Sequence, residues 1–362
     1  MVERLWKRML RRRGLTWWHL PAAMMWLGSL VYRVLYRLRR SLAGPPLRVP
    51  VPVISVGNIT VGGTGKTPLV ACLTGDLIAE GLRVGVVSSG YGRRHKGHSF
   101  VEPGYRVQQM PTDDTGDEVK LLAGLLPNAV FSVDRVKAQA ARRLAEADAV
   151  DVIVVDDGFQ HWRLARDIDI VTFDAAVPER VLTWFPLGLL REPLTALDRA
   201  DIVVATRANF SRHLAKLLSR LAQLSPRAQV YSARFVLTEL IGRDQRLELK
   251  YLEDKSVLLF AGVGNFAPLR KQVAALCADL DVALELRDHQ RYDHRTLTHI
   301  KRLADQHDSD VILTTGKDWA KLPDFAFGRD IYYLGQSVDL DPGEERLVQF
   351  LRERLKLSPR EN

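Results

Sequence analysis

Residues 51–70, VPVISVGNITVGGTGKTPLV, follow a strand, loop and helix pattern that only an α/β sheet accommodates well. The run from Val51 to Val56 is apolar and β-branched, and LVACLTGDLIAEG has the apolar spacing of a helix. Such a unit turns backbone N–H groups inward at the end of a buried strand, where they bind phosphate. The predicted nucleotide-binding residues are Gly62, Gly63, Thr64, Gly65, Lys66 and Thr67.

The loop departs from the phosphate-binding pattern G-x-x-x-x-G-K-[ST] at one position, because Thr60 stands where the first glycine is expected. The three later glycines still supply the backbone freedom that the curl needs. Pro68 fits the first turn of the helix, where its missing N–H has no partner to lose. We therefore predict that the loop binds a nucleotide; the alternative is a glycine-rich turn without a ligand.

A second strong pattern is VIVVDDGFQH, residues 152–161. An apolar strand that ends in Asp156 and Asp157 is where an enzyme with a phosphate-binding loop keeps its Mg²⁺-binding carboxylates, and Thr67 would complete the metal site. Two adjacent carboxylates are costly unless a cation compensates them. Gln160 and His161 continue the loop into the same crevice. The alternative is a solvated acidic turn.

Strands and helices alternate along most of the 362 residues, which predicts a mostly parallel sheet with helices on both faces. The length suggests two domains. We predict a basic amphipathic helix at 1–44, a phosphate-binding-loop domain at 45–229, a β-ribbon linker at 230–256 and a smaller α/β domain at 257–362. Gly262 and Gly264 follow a strand in the second domain, and a plain tight turn explains them better than a second nucleotide site.

The charge of the chain is concentrated in its first 44 residues. They contain ten Lys and Arg side chains and one Glu, a net charge of +9, and the whole chain also carries +9. The remaining 318 residues are therefore balanced in charge. A nucleic-acid binder needs basic residues in its folded part, so this distribution argues against that class. Cys72 and Cys277 form no metal-like pair and are predicted to be reduced.

The basic arm contains Trp6, Trp17, Trp18 and Trp26, and its apolar core, LPAAMMWLGSLVY, has 13 residues. Crossing a bilayer takes about 20. Apolar residues then keep helical spacing to Leu38, with arginines on another face. Basic residues, interfacial tryptophans and one apolar stripe predict a helix that lies in the surface of an anionic membrane. The alternative is a helix packed on the core of the protein with its arginines in water.

Several blocks, VGNITVGGTGKTP, GYG, GDE, DDGFQH, LREP and DH-x-x-Y, occur in this order after the basic arm. Together they resemble the tetraacyldisaccharide 4'-kinase family, the lipid A kinases of Gram-negative bacteria. The resemblance implies transfer of the γ-phosphoryl of ATP, with Mg²⁺, to the 4'-hydroxyl of a tetraacyldisaccharide 1-phosphate to give lipid IVA. It places the enzyme peripherally on the cytoplasmic face of the inner membrane. The expected partners are the lipid substrate and an anionic membrane surface, with no nucleic acid and no obligate protein partner.

The resemblance also implies roles for individual residues. Asp117 of the GDE block would be the catalytic carboxylate and His289 its partner, with Lys66 and Asp157 at the reacting centre. The residues implied to line the acceptor site are Gln160, His161, Arg191 and Glu192. The chain departs from the family pattern at Ser89, Gly316 and Gln290, where arginine, glutamate and histidine are common.

A rival class is the membrane-associated ATPase switch of the deviant-Walker type, which also combines a GGxGKT loop with an amphipathic helix. Such proteins carry a signature lysine in the place that Val61 holds here. The missing lysine favours the kinase, and ATP hydrolysis that is independent of a lipid acceptor would favour the switch.

Overall fold

A computed structural model of the protein describes residues 19–94, 99–264, 266–287 and 290–357. Within these residues, the strands are β1 (Val53–Asn58), β2 (Val84–Ser88), β3 (Phe100–Pro103), β4 (Val130–Val133), β5 (Val152–Asp156), β6 (Ile168–Asp174), β7 (Ile202–Thr206), β8 (Gln229–Ile241), β9 (Arg246–Glu248), β10 (Ser256–Ala261), β11 (Asp279–Glu285), β12 (Val311–Thr315) and β13 (Asp330–Asp341).

The α-helices within the same residues are α1 (His19–Ser41), α2 (Lys66–Ala79), α3 (Gly104–Gln109), α4 (Thr112–Thr115), α5 (Asp117–Leu125), α6 (Lys137–Glu146), α7 (Leu214–Leu224), α8 (Phe266–Ala274), α9 (His294–Gln306), α10 (Gly316–Trp319) and α11 (Glu344–Leu355).

The strands form one mixed sheet in the order β11-β10-β12-β13-β8-β7-β6-β1-β5-β2-β4-β3, with β9 paired to β8. Most neighbours are parallel, and the antiparallel pairs are β3 with β4, β8 with β9 and β8 with β13. The central strands β1, β2, β5 and β7 are buried at every residue, as expected of a parallel sheet covered on both faces. The predicted α/β class with a mostly parallel sheet is confirmed.

The two long strands β8 and β13 lie between the two halves of the sheet. Strands β1 to β7 form the first half, and β10 to β12 form the second half. The first residues of β8 pair in parallel with β7, and the strand then runs antiparallel to β13 from Ser232 to Ile241. The segment 230–256, predicted as a β-ribbon linker, contains most of β8 and all of β9. A single sheet therefore runs through both halves, and the division into four parts remains a prediction. Strand β3 and helices α3 and α4 were not predicted from the sequence.

The carboxyl ends of the parallel strands β1, β5, β6 and β7 meet at one edge of the sheet, because β5 and β6 flank β1 and β7 lies beside β6. In open α/β sheets this edge is where ligands bind. The phosphate-binding loop follows β1, and the DDGFQH block follows β5. The fold thus brings the two strongest sequence patterns to the same edge.

Helix α1 packs on the body of the protein along one face only. Ser29 donates a hydrogen bond to the carbonyl oxygen of Trp184 at 2.9 Å, and the ring of Tyr36 packs against Trp162 and Trp184. Trp6, Trp17 and Trp18, which supported the membrane prediction, lie outside the described residues. Among the described residues, no helix is both long enough and apolar enough to cross a membrane.

Candidate active site

The loop between β1 and α2 has the backbone geometry of an anion-binding turn. Gly62 has φ 102° and Gly65 has φ 78°, values that favour glycine. A Cβ at Gly65 would lie 2.2 Å from the Phe235 ring, so the helix start is also sterically reserved for glycine. In the described part of the chain, the N–H groups of Gly62 and Gly63 donate to no protein acceptor. They are available to phosphate oxygens.

Side chains from neighbouring strands fix the loop. Thr64 is buried, and its hydroxyl contacts Asn58 at 2.9 Å and Thr172 at 2.7 Å. Thr206 donates to the Thr64 carbonyl oxygen at 2.8 Å. Thr60, the residue that replaces the first glycine, forms an antiparallel bridge with Leu190. The LREP block therefore runs beside the loop.

This bridge brings Arg191 to the end of β5. The guanidinium of Arg191 donates to both carboxylate oxygens of Asp157, at 2.9 and 3.3 Å, and to the side chain of Asn58. The ammonium of Lys66 lies 3.5 Å from the same carboxylate. Burial by itself would raise the pKa of Asp157, but these two cations outweigh burial and hold the pKa far below its ordinary value.

Asp156 has different surroundings. Its side chain is buried, and burial raises its pKa to about 6 despite the nearby cation of Lys137. Oδ1 of Asp156 is buried and accepts no hydrogen bond from the described residues. A buried carboxylate oxygen without a partner is costly unless a ligand satisfies it. A hard cation such as Mg²⁺ prefers such oxygens, so Asp156 fits the predicted metal.

Lys137 is a site residue that the sequence analysis missed. It is the first residue of α6 and is buried, and its ammonium donates to the backbone carbonyl oxygens of Asp156 at 2.5 Å and Asp157 at 2.9 Å. Asp157 has φ 52°, an uncommon value for a residue other than glycine. Lys137 thus secures the turn that presents both carboxylates. The only signal was a lysine shortly after β4 in the sequence, and the local pattern does not encode its contact with a turn about twenty residues away.

Three of the four predicted acceptor residues are tied to the body of the protein. Glu192 is fully buried, and its carboxylate accepts hydrogen bonds from Tyr36 at 2.8 Å, Gln160 at 2.9 Å and Arg199 at 2.9 Å. Gln160 also donates to the carbonyl oxygen of Asn58 at 2.7 Å. Together with the Arg191–Asp157 pair, these bonds connect α1 to the turn after β5 that carries Asp156 and Asp157. The contacts of Gln160 and Glu192 suit an anchor better than a group exposed to a substrate, whereas the Arg191 side chain is partly exposed.

The remaining member, His161, is partly buried beside this turn. Burial, together with the positive charge of Lys137, lowers the pKa of His161 to about 3. The imidazole is therefore uncharged at neutral pH, where it can both donate and accept a hydrogen bond.

Asp117 lies in a cleft of about 950 Å³ that the Gly90–Arg94 loop, Arg135, Tyr292 and Lys321 also line. It is the first residue of α5, after Gly116 with φ 88°. The next residue, Glu118, contributes to the raised pKa of Asp156. The start of α5 thus has an electrostatic effect on the turn that carries Asp156 and Asp157. His289, the predicted partner of Asp117, lies outside the described residues.

The residues after β1 and β5 together define the class of protein. A glycine-rich loop with unpaired N–H groups, a lysine and hydroxyl behind it and a buried carboxylate at the end of a neighbouring strand form the phosphoryl-transfer site of a P-loop enzyme. Asp117, predicted to be the catalytic carboxylate, lies in a cleft of its own.

The comparisons with known proteins give the family. The model of the tetraacyldisaccharide-1-P 4'-kinase family, LpxK, matches residues 21–356. A tetraacyldisaccharide 4'-kinase from Pelobacter propionicus is 38% identical over 304 residues, 81% of each chain. One from Vibrio cholerae is 32% identical over 358 residues, 98% of this chain and 97% of the relative. The chain belongs to the tetraacyldisaccharide 4'-kinase family.

A solved structure supports the same family membership. The "apo" form of LpxK from Aquifex aeolicus in complex with ATP superposes with a TM-score of 0.73 at 26% identity, over 92% of this chain and 99% of that one. The family resemblance predicted from the sequence blocks is confirmed, and the comparisons do not favour the deviant-Walker ATPase switch.

Proposed function

We propose that the chain transfers the γ-phosphoryl group of ATP to the 4'-hydroxyl of a tetraacyldisaccharide 1-phosphate, forming lipid IVA. The observation that carries the proposal is the cluster at the end of β5, where Lys66 and Arg191 bind Asp157 beside the buried oxygen of Asp156. This cluster faces the loop whose N–H groups are available to phosphate. The relatives' names specify the acceptor.

The nucleotide would lie on the loop from Gly62 to Thr67. Its phosphates would accept hydrogen bonds from the backbone N–H groups and from the ammonium of Lys66, which is already held near the carboxylate end of β5. Because the loop is tied to β6 and β7 by Thr172 and Thr206, it needs little reorganisation when phosphate binds. Preorganised donors of this kind stabilise the charge that develops in the transition state.

The two adjacent carboxylates, Asp156 and Asp157, would have different roles. Asp156 and Thr67 would hold Mg²⁺, since the Oδ1 atom of Asp156 has no other partner among the described residues. Bound Mg²⁺ would neutralise charge on the β- and γ-phosphates. Asp157, already engaged by Lys66 and Arg191, would keep these two cations at the reacting centre and would serve the metal together with Asp156. Lys137 would hold both residues through their carbonyl oxygens.

Asp117 would accept the proton of the 4'-hydroxyl, with His289 as its partner. A sugar hydroxyl is a weak nucleophile at neutral pH, and a positioned base typically contributes about 10² to 10⁴ in rate. The cleft around Asp117 has the size of a ligand site. His161 and Arg191 would face the acceptor, whereas Gln160 and Glu192 would hold that wall of the site in place.

Membrane docking would use the outer face of α1. Met24, Leu27, Val34 and Leu38 are each more than half exposed, although they are large and apolar. Contiguous apolar surface of this kind marks a membrane or protein contact. On a neighbouring face, three arginines line a cavity of about 590 Å³ together with Tyr36 and Trp184; they are Arg33, Arg37 and Arg40. The helix thus offers apolar contact beside cations for anionic headgroups.

The activity is tested with purified protein, ATP, Mg²⁺ and a tetraacyldisaccharide 1-phosphate, with the product followed by mass. We expect a product heavier by one phosphoryl group, formed only when acceptor and Mg²⁺ are both present. ATP hydrolysis at the same rate with and without acceptor would contradict the proposal and favour an ATPase.

The docking surface is tested with the double variant Val34→Ser and Leu38→Ser, which leaves the packed face of α1 intact. Burying an aliphatic side chain contributes roughly 1.5–3 kcal/mol, so we expect binding to anionic vesicles to weaken at least about tenfold. The control is Leu125→Ser with Val236→Ser, a matched pair that is exposed elsewhere. Equal vesicle binding by both variants would show that α1 does not dock through this face.

A further inference from the structure

Lys321 is a buried cation in the wall of the cleft that contains Asp117. Only 8% of its side chain is exposed. Its ammonium lies 3.2 Å from Oδ1 of Asp318 and 3.8 Å from Oδ2 of Asp117, and it stands over the ring of Tyr292 at 5.5 Å from the ring centre. One lysine therefore sits between two carboxylates.

The first of these carboxylates is rigidly held. Asp318 is fully buried, and its Oδ2 atom accepts a hydrogen bond from the backbone N–H of Gly262 at 2.9 Å and another from the Thr315 hydroxyl at 2.8 Å. Oδ1 faces Lys321 and accepts no hydrogen bond from the described residues. A buried charge must be compensated, so Asp318 requires the ammonium of Lys321. This pair is fixed to the turn after β10 and to α10.

The second carboxylate comes from the other half of the sheet. Asp117 begins α5, which follows the Gly90–Arg94 side of the cleft, whereas Lys321 follows α10 beyond β12. The Lys321–Asp117 contact therefore crosses between the halves, as does the hydrogen bond from Thr112 to the Ala320 carbonyl oxygen at 3.4 Å. The Asp117 carboxylate thus lies beside a cation that the second half supplies.

We propose that Lys321 is a positioning residue for Asp117. Anchored by Asp318, Lys321 orients the Asp117 carboxylate toward the acceptor hydroxyl at the place where the two halves of the sheet meet. The inference rests on the proposed kinase function. Lys321 acts through Asp117 and does not itself contact the transferred phosphoryl group. Asp318, in turn, acts only by holding Lys321.

The first test compares Lys321→Met and Lys321→Arg by steady-state kinetics with ATP and the lipid acceptor. Misplacing a reacting group by about 1 Å costs up to about 100-fold, so we expect Lys321→Met to lower kcat by roughly 10- to 100-fold while KM for ATP stays within about twofold. Lys321→Arg should restore much of the loss. The control is Lys301→Met, a part-buried lysine of the same half that bonds to Phe327 and Asp305 outside the cleft. Wild-type kcat in Lys321→Met would overturn the proposal, as would an equal loss in Lys301→Met.

The second test asks whether Lys321 acts through Asp117. On an Asp117→Asn background, we expect Lys321→Met to lower kcat no further, since residues that act as a unit are not additive. A second loss of the same factor would show an independent role and overturn the proposal. Because Lys321→Met leaves Asp318 buried without its cation, the variant Asp318→Asn with Lys321→Met provides a chain with neither charge. It should fold and show the same loss of kcat.

A third measurement separates this inference from the proposed function. Thermal unfolding of the wild type, Asp117→Asn, Lys321→Met and the double variant measures the coupling of the two residues without any substrate. Effects on the unfolding midpoint that are not additive support the contact even if the wild type fails to phosphorylate the acceptor. Simply additive effects would overturn the contact, whether or not the enzyme is a kinase.

Discussion

β1 and β10 are both buried strands followed by a glycine-containing turn and a helix, yet the first glycine of each turn differs in the space around it. A Cβ at Gly62 would meet no atom within 4 Å, and one at Gly63 would meet only Arg207, at 3.9 Å. At Gly262, after β10, a Cβ would lie 2.6 Å from the carbonyl oxygen of Arg287. The N–H of Gly262 already donates to Asp318.

The difference shows what separates a phosphate site from a structural turn. Both turns contain glycine, but at Gly262 the backbone of Arg287 fills the space and the buried Asp318 carboxylate uses the N–H donor. In the first half, the N–H groups stay unpaired within the described residues and the space beside them stays open. A glycine pattern in a sequence therefore predicts a turn, and its surroundings decide whether the turn binds anything.

The largest effect is expected from Lys66→Ala. Lys66 supplies the cation that would bind the phosphates, and losing one preorganised donor alone costs about 10² to 10³ in kcat. We expect phosphoryl transfer to the lipid acceptor to fall below detection. The thermal unfolding midpoint should change little, because Asp157 keeps Arg191 as a partner.

The control is Lys216→Ala, which removes an exposed lysine from α7 in the same half. Near-normal turnover by Lys66→Ala would show that the turn after β1 is as structural as the one after β10.

A smaller loss is expected from Asp117→Ala and from His289→Ala. The predicted pairing of these two residues would make the second half contribute a chemical group instead of a nucleotide site, because His289 follows β11 in the sequence. Each variant should lower kcat by roughly 10² to 10⁴, with little change in ATP affinity. The double variant should be little worse than either one. Penalties that multiply would separate the two residues without removing the kinase assignment.

The sequence predicted those parts of the site that depend on short-range patterns. The loop after β1 and the carboxylates after β5 each follow a buried strand, and parallel strands bring their carboxyl ends together. The alternation of strands and helices likewise predicted the mostly parallel sheet.

The rest depends on contacts between distant segments, which periodicity does not encode. Lys137 binds carbonyl groups about twenty residues away, and Lys321 meets Asp117 from the other half of the sheet. Glu192 was predicted to line the acceptor site, but its burial against Tyr36 depends on how α1 packs. The long pairing of β8 with β13 is also non-local, so a ribbon was predicted without its partner.

Gly63→Ala should weaken nucleotide binding without weakening the fold. The new methyl group would enter the open space beside the loop, where a phosphate oxygen would otherwise accept the N–H. We expect KM for ATP to rise roughly tenfold, equivalent to about 1.4 kcal/mol. The unfolding midpoint should stay the same or rise slightly, because alanine restricts the unfolded chain. An unchanged KM would mean that phosphate does not approach this residue.

Gly262→Ala should weaken the fold without weakening nucleotide binding. Its methyl group would press on the carbonyl oxygen of Arg287, which is backbone and cannot move aside cheaply, so overpacking should cost about 1–3 kcal/mol. We expect the unfolding midpoint to fall by a few degrees, measured by circular dichroism, while KM for ATP stays at the wild-type value. Together with Gly63→Ala, this substitution tests both sides of the comparison with the same chemical change. A wild-type midpoint combined with a raised KM for ATP would place nucleotide at the second turn and contradict its structural role.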